Sequence, residues 1–415
     1  MSVAIVGMGY VGLPLAMEFA EAGIEVIGID IDGARIATLR EAKSHIEDVP
    51  DERLQAVIDR CSFTTRMVDA HDADAVLICV PTPLNANREP ELGALLSVSR
   101  ALGQVMRAGQ TIVLESTTFP GTTRDYVQPL LEESGLRAGV DFALAFSPER
   151  VDPGRTDYTI KTTPKIVGGL TPACTDAAAA VYAQVCDEVV PVGTPEVAEL
   201  AKLLENVFRS VNIALVNELS MLADRMGIDI WEVIDAASTK PYGFMRFEPG
   251  PGMGGHCLPV DPFYLTWRAR EFDFATEFIE LAGKVNQDMP RFCVQKIETA
   301  LNDASKSVRG SRILVLGVAY KPGVGDIRES PALKIIDLLH ERGAEVVYHD
   351  AFVPELTACG LTNVGLDEGL EGADLAVIVT AHPGVDQDDV LRRAPDTVDF
   401  RGVTRHARAA AVSAR

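Results

Sequence analysis

A glycine-rich stretch past the middle of the chain, Gly250-Pro251-Gly252-Met253-Gly254-Gly255-His256-Cys257-Leu258-Pro259-Val260-Asp261, presents a thiol and, four residues on, a carboxylate. A packing cysteine normally belongs to a periodic apolar segment. Cys257 instead follows glycines that let the main chain close on a ligand, so it reads as a nucleophile, and a nearby lysine would favour its thiolate. His256 is its neighbour, and adjacent side chains usually point apart, so His256 reads as structural. Upstream, Lys202 and Asn206 lie four apart in a helical pattern and project from one face. An ordinary exposed helix surface is the alternative. Ser147-Pro148-Glu149-Arg150 follows what reads as the last strand of the first domain and offers a carboxylate at the end of the sheet where such folds bind ligands. Its alternative is a surface salt bridge.

At the N-terminus an apolar run, Val3 to Val6, leads into Gly7-Met8-Gly9-Tyr10-Val11-Gly12, then a helical segment, a second strand, and Asp30 at that strand's end. This is the GxGxxG spacing in its confirming context. Gly7 permits the tight turn, Gly9 lets the backbone approach a pyrophosphate, and Gly12 lets helix and strand pack closely, while the helix N-terminus offers N–H groups to the anion. Asp30 can accept from both ribose hydroxyls and would repel a 2′-phosphate, which favours NAD over NADP. Arg35 lies close by and bears on that exclusion. A second turn, Gly317-Val318-Ala319-Tyr320-Lys321-Pro322-Gly323-Val324-Gly325-Asp326, lacks the fingerprint, but with Lys321 and Arg328 it suits another phosphate-bearing ligand. An ordinary strand-to-helix connection with surface charges is the alternative.

The elements that must position these residues follow from the apolar pattern. Strands are expected at Val3 to Val6, Glu25 to Ile29, Ala75 to Val80, Thr111 to Leu114 and Phe142 to Ala145, separated by helix-length segments, as in a parallel sheet with crossover helices. From Thr194 to Ala223 apolar residues recur at three- and four-residue steps, predicting one long helix with a stripe wide enough to face its own domain on one side and a partner subunit on the other. The irregular stretch Lys240 to Pro262 is long for a structureless loop, and such loops are usually functional. Strands return at Ile313 to Leu316, Glu345 to Tyr348 and Leu375 to Val379, with Ser330-Pro331 starting a helix that ends before Gly343. The tail Thr404 to Arg415 is expected to fray. The expected fold class is therefore α/β, with two Rossmann-like doubly wound parallel-sheet domains (1–190 and 306–415) joined by a central helical domain (191–305) with one long helix.

Composition narrows the function. The chain has 415 residues with 38 basic against 60 acidic side chains, a formal charge of -22, so phosphate would be repelled over most of its surface. Nucleic acid and anionic membranes are not expected partners. Seven cysteines at irregular spacing, without a CxxC pair, indicate neither a disulfide framework nor a metal site. No targeting segment or membrane span is expected, and a reducing cytoplasm is the simplest compartment.

Taken in order, these motifs resemble the UDP-glucose/GDP-mannose dehydrogenase family of nucleotide-sugar dehydrogenases, over essentially the whole chain from Gly7 to Arg401. The resemblance implies oxidation of a sugar C6 alcohol to a carboxylate in two NAD-dependent steps at one site. It implies Cys257 as nucleophile, Asp261 as its partner carboxylate, Lys202 and Asn206 as the helical pair that stabilises the oxyanion, and Glu149 with Thr117 as the groups that assist hydrolysis. Thr82, Thr117 and Arg328 join Gly7, Gly9, Tyr10, Val11, Gly12, Asp30 and Arg35 as cofactor contacts. Glu149, Arg150, Lys202, Asn206, Gly254, Lys321 and Arg401 are implied around the UDP-sugar. UDP-glucose members usually carry Ser and Lys where this chain has His256 and Val260. With Arg150-Val151-Asp152-Pro153-Gly154, Asp261 to Trp267 and Glu115 to Thr123, those departures look most like enzymes acting on UDP-N-acetylglucosamine. UDP-glucose, UDP-N-acetylgalactosamine and UDP-N-acetylmannosamine stay open. So, more remotely, do a two-electron β-hydroxyacid dehydrogenase and a non-catalytic NAD-binding regulator.

Overall fold

The computed structural model describes residues 1–85, 88–151, 157–255 and 258–405. The chain forms two compact units: residues 1–205 with 263–274, and residues 206–262 with 275–415.

The first unit is built on eight strands: β1 Ser2–Val6, β2 Glu25–Ile29, β3 Cys61–Thr64, β4 Ala75–Ile78, β5 Thr111–Leu114, β6 Ala143–Phe146, β7 Lys165–Gly169 and β8 Val189–Val192. Their order is β3-β2-β1-β4-β5-β6-β7-β8. The run Ala75 to Ile78 is apolar throughout and fully buried, which suits a strand covered by helices on both faces. Order reverses between β1 and β4, so the carboxyl ends of these strands frame a crevice of the kind that takes nucleotides. Every pairing is parallel except β6 with β7, which run antiparallel. Two expectations are corrected here. The strand before Ser147 is not the last of its domain, because β7 and β8 follow. The strand from Ala75 also stops at Ile78, leaving Val80-Pro81 outside it. Strand β8 carries Pro191 and sits at the edge of the sheet, where a missing N–H is tolerated.

The second unit holds a four-stranded parallel sheet in the order β10-β9-β13-β14: β9 Arg312–Leu316, β10 Glu345–His349, β13 Leu375–Ile378 and β14 Thr397–Asp399, with a small antiparallel pair, β11 Glu355–Leu356 and β12 Leu361–Thr362. The helix Glu277–Asp303 buries Cys293, Val294, Ile297 and Leu301 in the same core as β9 and the helix Pro331–Glu341. Ser330 caps that second helix, its side chain accepting from the Ala332 N–H, with Pro331 in the first turn. The long helix runs Pro195–Met226. The tail is not frayed from its start: Thr404 is buried and bonds to Asp399, while 406–415 lie outside the described residues. Among the described residues, no helix is long and apolar enough to cross a membrane.

Candidate active site

In the first unit the turn after β1 leads directly into the helix Gly12–Glu21, with Val11 at its N-cap. Close packing forces glycine at position 12: a Cβ there would lie 1.8 Å from the Gly7 carbonyl oxygen. A Cβ on Gly9 would meet nothing within 4 Å, so its open face is where a pyrophosphate can approach the backbone. Tyr10 is half exposed beside it. Asp30 is buried, and its Oδ2 accepts from the Met8 N–H at 2.8 Å and from Arg35 Nη1 at 2.8 Å, while Oδ1 accepts from the Asp32 N–H at 2.9 Å. Arg35 is thus paired with the acid. One further acceptor position remains on Oδ1 for a ribose hydroxyl. His45, which sequence reasoning missed, bonds through Nε2 to the Met8 carbonyl at 2.9 Å. Burial, followed by the Arg35 charge, pushes its imidazole below the usual histidine range. The glycine spacing and Asp30 together fit a dinucleotide.

Thr82 is buried, and its hydroxyl donates to the Thr117 carbonyl at 2.6 Å, tying the Val80-Pro81-Thr82 turn to the segment after β5. A little further on, Glu199 of the long helix accepts from the Gly121 N–H (2.6 Å), the Thr123 N–H (2.9 Å) and the Thr123 hydroxyl (2.7 Å). Burial raises its carboxyl to about 7, against the pull of those donors. Glu149 does not form the simple surface salt bridge that was its alternative. Its Oε1 accepts from the Arg150 and Val151 N–H groups at 2.8 and 2.6 Å, and its Oε2 faces the ammonium of Lys165 at 3.7 Å. Arg150 turns its guanidinium to Glu205 Oε1 at 2.7 Å and to the Pro164 carbonyl at 2.6 Å. Lys165 was missed because its strand, β7, was not itself legible in the sequence.

Lys202 and Asn206 are both buried on the long helix, so the exposed-surface alternative fails for each. In the second unit, Asn206 Nδ2 donates to Asp261 Oδ2 at 2.5 Å, and Asp261 starts the helix Asp261–Ala269. The glycine loop before it is pinned by buried amides: Asn217 accepts the Gly250 N–H at 2.9 Å and donates to Asn286 at 2.9 Å, and Asn286 reaches Met253 Sδ at 3.3 Å. Gly254 packs where a Cβ would fall 2.6 Å from the Tyr320 side chain and 2.9 Å from the Glu329 carbonyl. The Gly255 N–H donates to the Arg328 carbonyl at 2.9 Å. The loop is thereby held against the Lys321 turn of the same unit. Lys321 stands 5.6 Å from the Tyr320 ring centroid, and Arg328 forks onto Asp326 at 2.7 to 3.1 Å. Arg401 donates to the Val379 carbonyl at 2.6 Å and lies against Gly250, and burial lowers its proton affinity. Cys257 and His256 lie outside the described residues.

Each unit thus carries groups of the kind an alcohol oxidation uses: in the first a glycine turn that fits a dinucleotide, a buried lysine and a carboxylate facing a cation, in the second a buried carboxylate bonded to an amide.

Comparisons with known proteins bear on the same segments. Residues 1–186, 196–288 and 314–406 match, respectively, the NAD binding domain, the central domain and the UDP binding domain of the UDP-glucose/GDP-mannose dehydrogenase family. The chain is 36% identical to the UDP-N-acetyl-D-mannosamine dehydrogenase of Pyrococcus horikoshii, over 98% of this chain and 99% of that protein. It is 35% identical to the UDP-N-acetyl-D-glucosamine 6-dehydrogenase of Pseudomonas aeruginosa, over 92% and 90% of the two chains. The solved structure of the Pyrococcus horikoshii enzyme superimposes with a TM-score of 0.89, covering 97% of this chain and 95% of that one.

Proposed function

The chain belongs to the UDP-glucose/GDP-mannose dehydrogenase family and is an NAD-dependent nucleotide-sugar dehydrogenase; from that premise we propose that it oxidises C6 of UDP-N-acetylglucosamine to the uronic acid in a four-electron reaction through Cys257. The observation that carries the reaction is the buried pair of Asn206 and Asp261, with Lys202 one turn away on the same helix. NAD, when bound, accepts the hydride of each oxidation. Asp261 or Lys202 takes the hydroxyl proton, directly or through a water, and Lys202 and Asn206 stabilise the developing oxyanion. The aldehyde carbon must become tetrahedral before it can give up hydride, and addition of the Cys257 thiolate achieves this as a thiohemiacetal. Loss of hydride from the thiohemiacetal in the second NAD-dependent oxidation gives a thioester, which is hydrolysed by a water that Thr117 helps to place and from which Glu149, as base, takes the proton. Lys321, Arg328 and Arg401 are assigned to the anionic ligands, and the division into segments 1–190, 191–305 and 306–415 is kept as our reading of the roles.

His256 and Val260 support the N-acetylhexosamine branch. A second reading, UDP-N-acetylmannosamine, is favoured by the relative that matches 98% of the chain. Leu200, Leu204, Phe208, Leu215, Leu219 and Leu222 form an exposed stripe along the long helix, and we assign it to a second copy of the chain in a cytoplasmic homodimer. A panel of UDP-sugars assayed by NADH production tests the substrate. An N-acetylhexosamine should be preferred by kcat/KM, because a site that hydrogen-bonds the acetamido group leaves buried partners unpaired without it. Higher kcat/KM with UDP-glucose than with every N-acetylhexosamine overturns the branch and leaves the reaction class standing.

A further inference from the structure

Hydrolysis of the thioester forms a bond from water oxygen to the acyl carbon and breaks the carbon–sulfur bond, the electron pair staying on Cys257 and the water proton passing to a base. Glu149 is that base in the function proposed above, and the inference here rests on that assignment. Behind Glu149 lies a buried cluster with no role so far. Lys165, at the head of β7, is 4% exposed, and Glu115, just past β5, is 1% exposed. Lys165 Nζ donates to Glu115 Oε2 at 2.8 Å and stands 3.7 Å from Glu149 Oε2. Tyr182, fully buried, donates to Glu115 Oε1 at 2.5 Å. Glu149 Oε1 is fixed by two backbone N–H groups, whereas Oε2 is buried with no hydrogen bond of its own. Two carboxylates therefore share one ammonium.

Among the described residues, Cys79, Cys186 and Tyr182 beside the cluster are uncharged near neutral pH. Burial pushes the Cys79 thiol, beyond the end of β4, well up, raises Cys186 to about 11, and raises the Tyr182 phenol well above its ordinary value. The Arg150 guanidinium is engaged with Glu205 and the Pro164 carbonyl.

We propose that Lys165 is a positioning residue for Glu149: its ammonium attracts and aligns the Glu149 carboxylate, and Glu115, by competing for the same ammonium, sets how strongly. Chemistry and geometry agree on this. Burial acts to remove the Lys165 proton, but Glu115 and Glu149 outweigh it and hold the lysine protonated. Burial also raises the Glu115 carboxyl, against the pull of Lys165.

The test follows uronate formation by acid quench in single turnovers of the full-length enzyme with NAD and the best UDP-sugar of the panel, from pH 5 to 9. The acid limb of this profile reports the base. Lys165→Met should move its midpoint up by about one unit or more, Lys165→Arg should restore it in part, and Glu115→Gln should move it down, because the ammonium then serves Glu149 alone. Opposite displacements are what a loss of packing cannot produce. NAD affinity and melting temperature verify that each variant is folded, and if Lys165→Met fails to fold, Lys165→Arg and Glu115→Gln decide. Folded variants whose limbs stay in place, or move the same way, overturn the proposal while Glu149 remains the base. A limb that persists in Glu149→Gln removes Glu149 from that role and the proposal with it.

Discussion

The two sheets carry the same turn put to different uses. After β1, Gly7 adopts a φ of +100°, and a Cβ on it would lie 2.5 Å from the Cys79 carbonyl beyond β4; after β9, Gly317 adopts a φ of +77°, with the Thr380 carbonyl beyond β13 at 2.0 Å from the corresponding position. Each second strand ends in an aspartate that accepts the N–H following that glycine, Asp30 from Met8 and Asp350 from Val318. There the likeness stops. The first turn enters its helix at Gly12, so backbone N–H groups and the open face of Gly9 make the anion site. The second is drawn out to Pro331 and brings in Lys321 and Arg328. Its aspartate is also filled: Asp350 Oδ2 accepts from Val318, Ala319 and His382 Nε2, and Oδ1 accepts from Phe352. His382 in turn accepts the Gly323 N–H at 3.1 Å through Nδ1, so the acid anchors the lysine-bearing turn and is not open to a ribose. One βαβ frame thus yields a dinucleotide turn when the loop is short and glycine-rich, and a cation-bearing turn when it is long.

The sharpest way to break this comparison is Gly9→Val. A Cβ at position 9 meets nothing within 4 Å, so the melting temperature should hold, yet NAD affinity should fall roughly 100-fold, the scale of a displaced ligand. Binding of UDP should be unaffected. Calorimetric titration of both ligands decides, and equal loss of the two would mean that the turns are not separate sites.

A smaller effect is expected at Asp30. In the parent, NAD should exceed NADP in kcat/KM by roughly two orders of magnitude, the scale of losing a charge-assisted bond and gaining a repulsion. Asp30→Ala removes the acid and releases Arg35 from its 2.8 Å pair, so the preference should narrow by about tenfold or more as the guanidinium meets the 2′-phosphate. An unchanged ratio would show that specificity lies elsewhere.

The mildest test concerns Asp350 and pH. Burial raises its pKa, but bonds from His382, Phe352, Val318 and Ala319 outweigh that and hold it below the ordinary 3.8. A carboxylate with a depressed folded-state pKa contributes stability above its unfolded value, lost as pH falls through the folded one. The parent should therefore lose stability as pH drops below about 4, and Asp350→Asn, weaker at neutral pH, should show a shallower decline there. Urea unfolding at pH 7 and pH 3 measures both. Parallel declines would assign the acid sensitivity to other carboxylates.

What the sequence revealed depended on how local each signal was. The glycine turn, β2 and β5 were legible to the residue because spacing and alternation are written within a few positions. Strands β3, β7, β8 and β14 were not: short, partly polar, or interrupted by proline, they owe their conformation to neighbours already in the sheet. Residue types at the site could be read, but pairings could not. Asn206 and Asp261, or Lys165 and Glu115, meet only after the chain has folded, and Asp350 was overlooked although Tyr348-His349-Asp350 stands where Gly28-Ile29-Asp30 does. Cys257 rests on its glycine setting and on the family motif.

The central claim, that one dinucleotide turn and one thiol together carry an alcohol to an acid, is tested most directly by stoichiometry. With limiting UDP-N-acetylhexosamine and excess NAD, the account predicts two NADH per sugar and a uronic acid, with acid formation falling by several orders of magnitude in Cys257→Ala. One NADH per sugar with a carbonyl product, or two NADH and acid at the parent rate in Cys257→Ala, would contradict it.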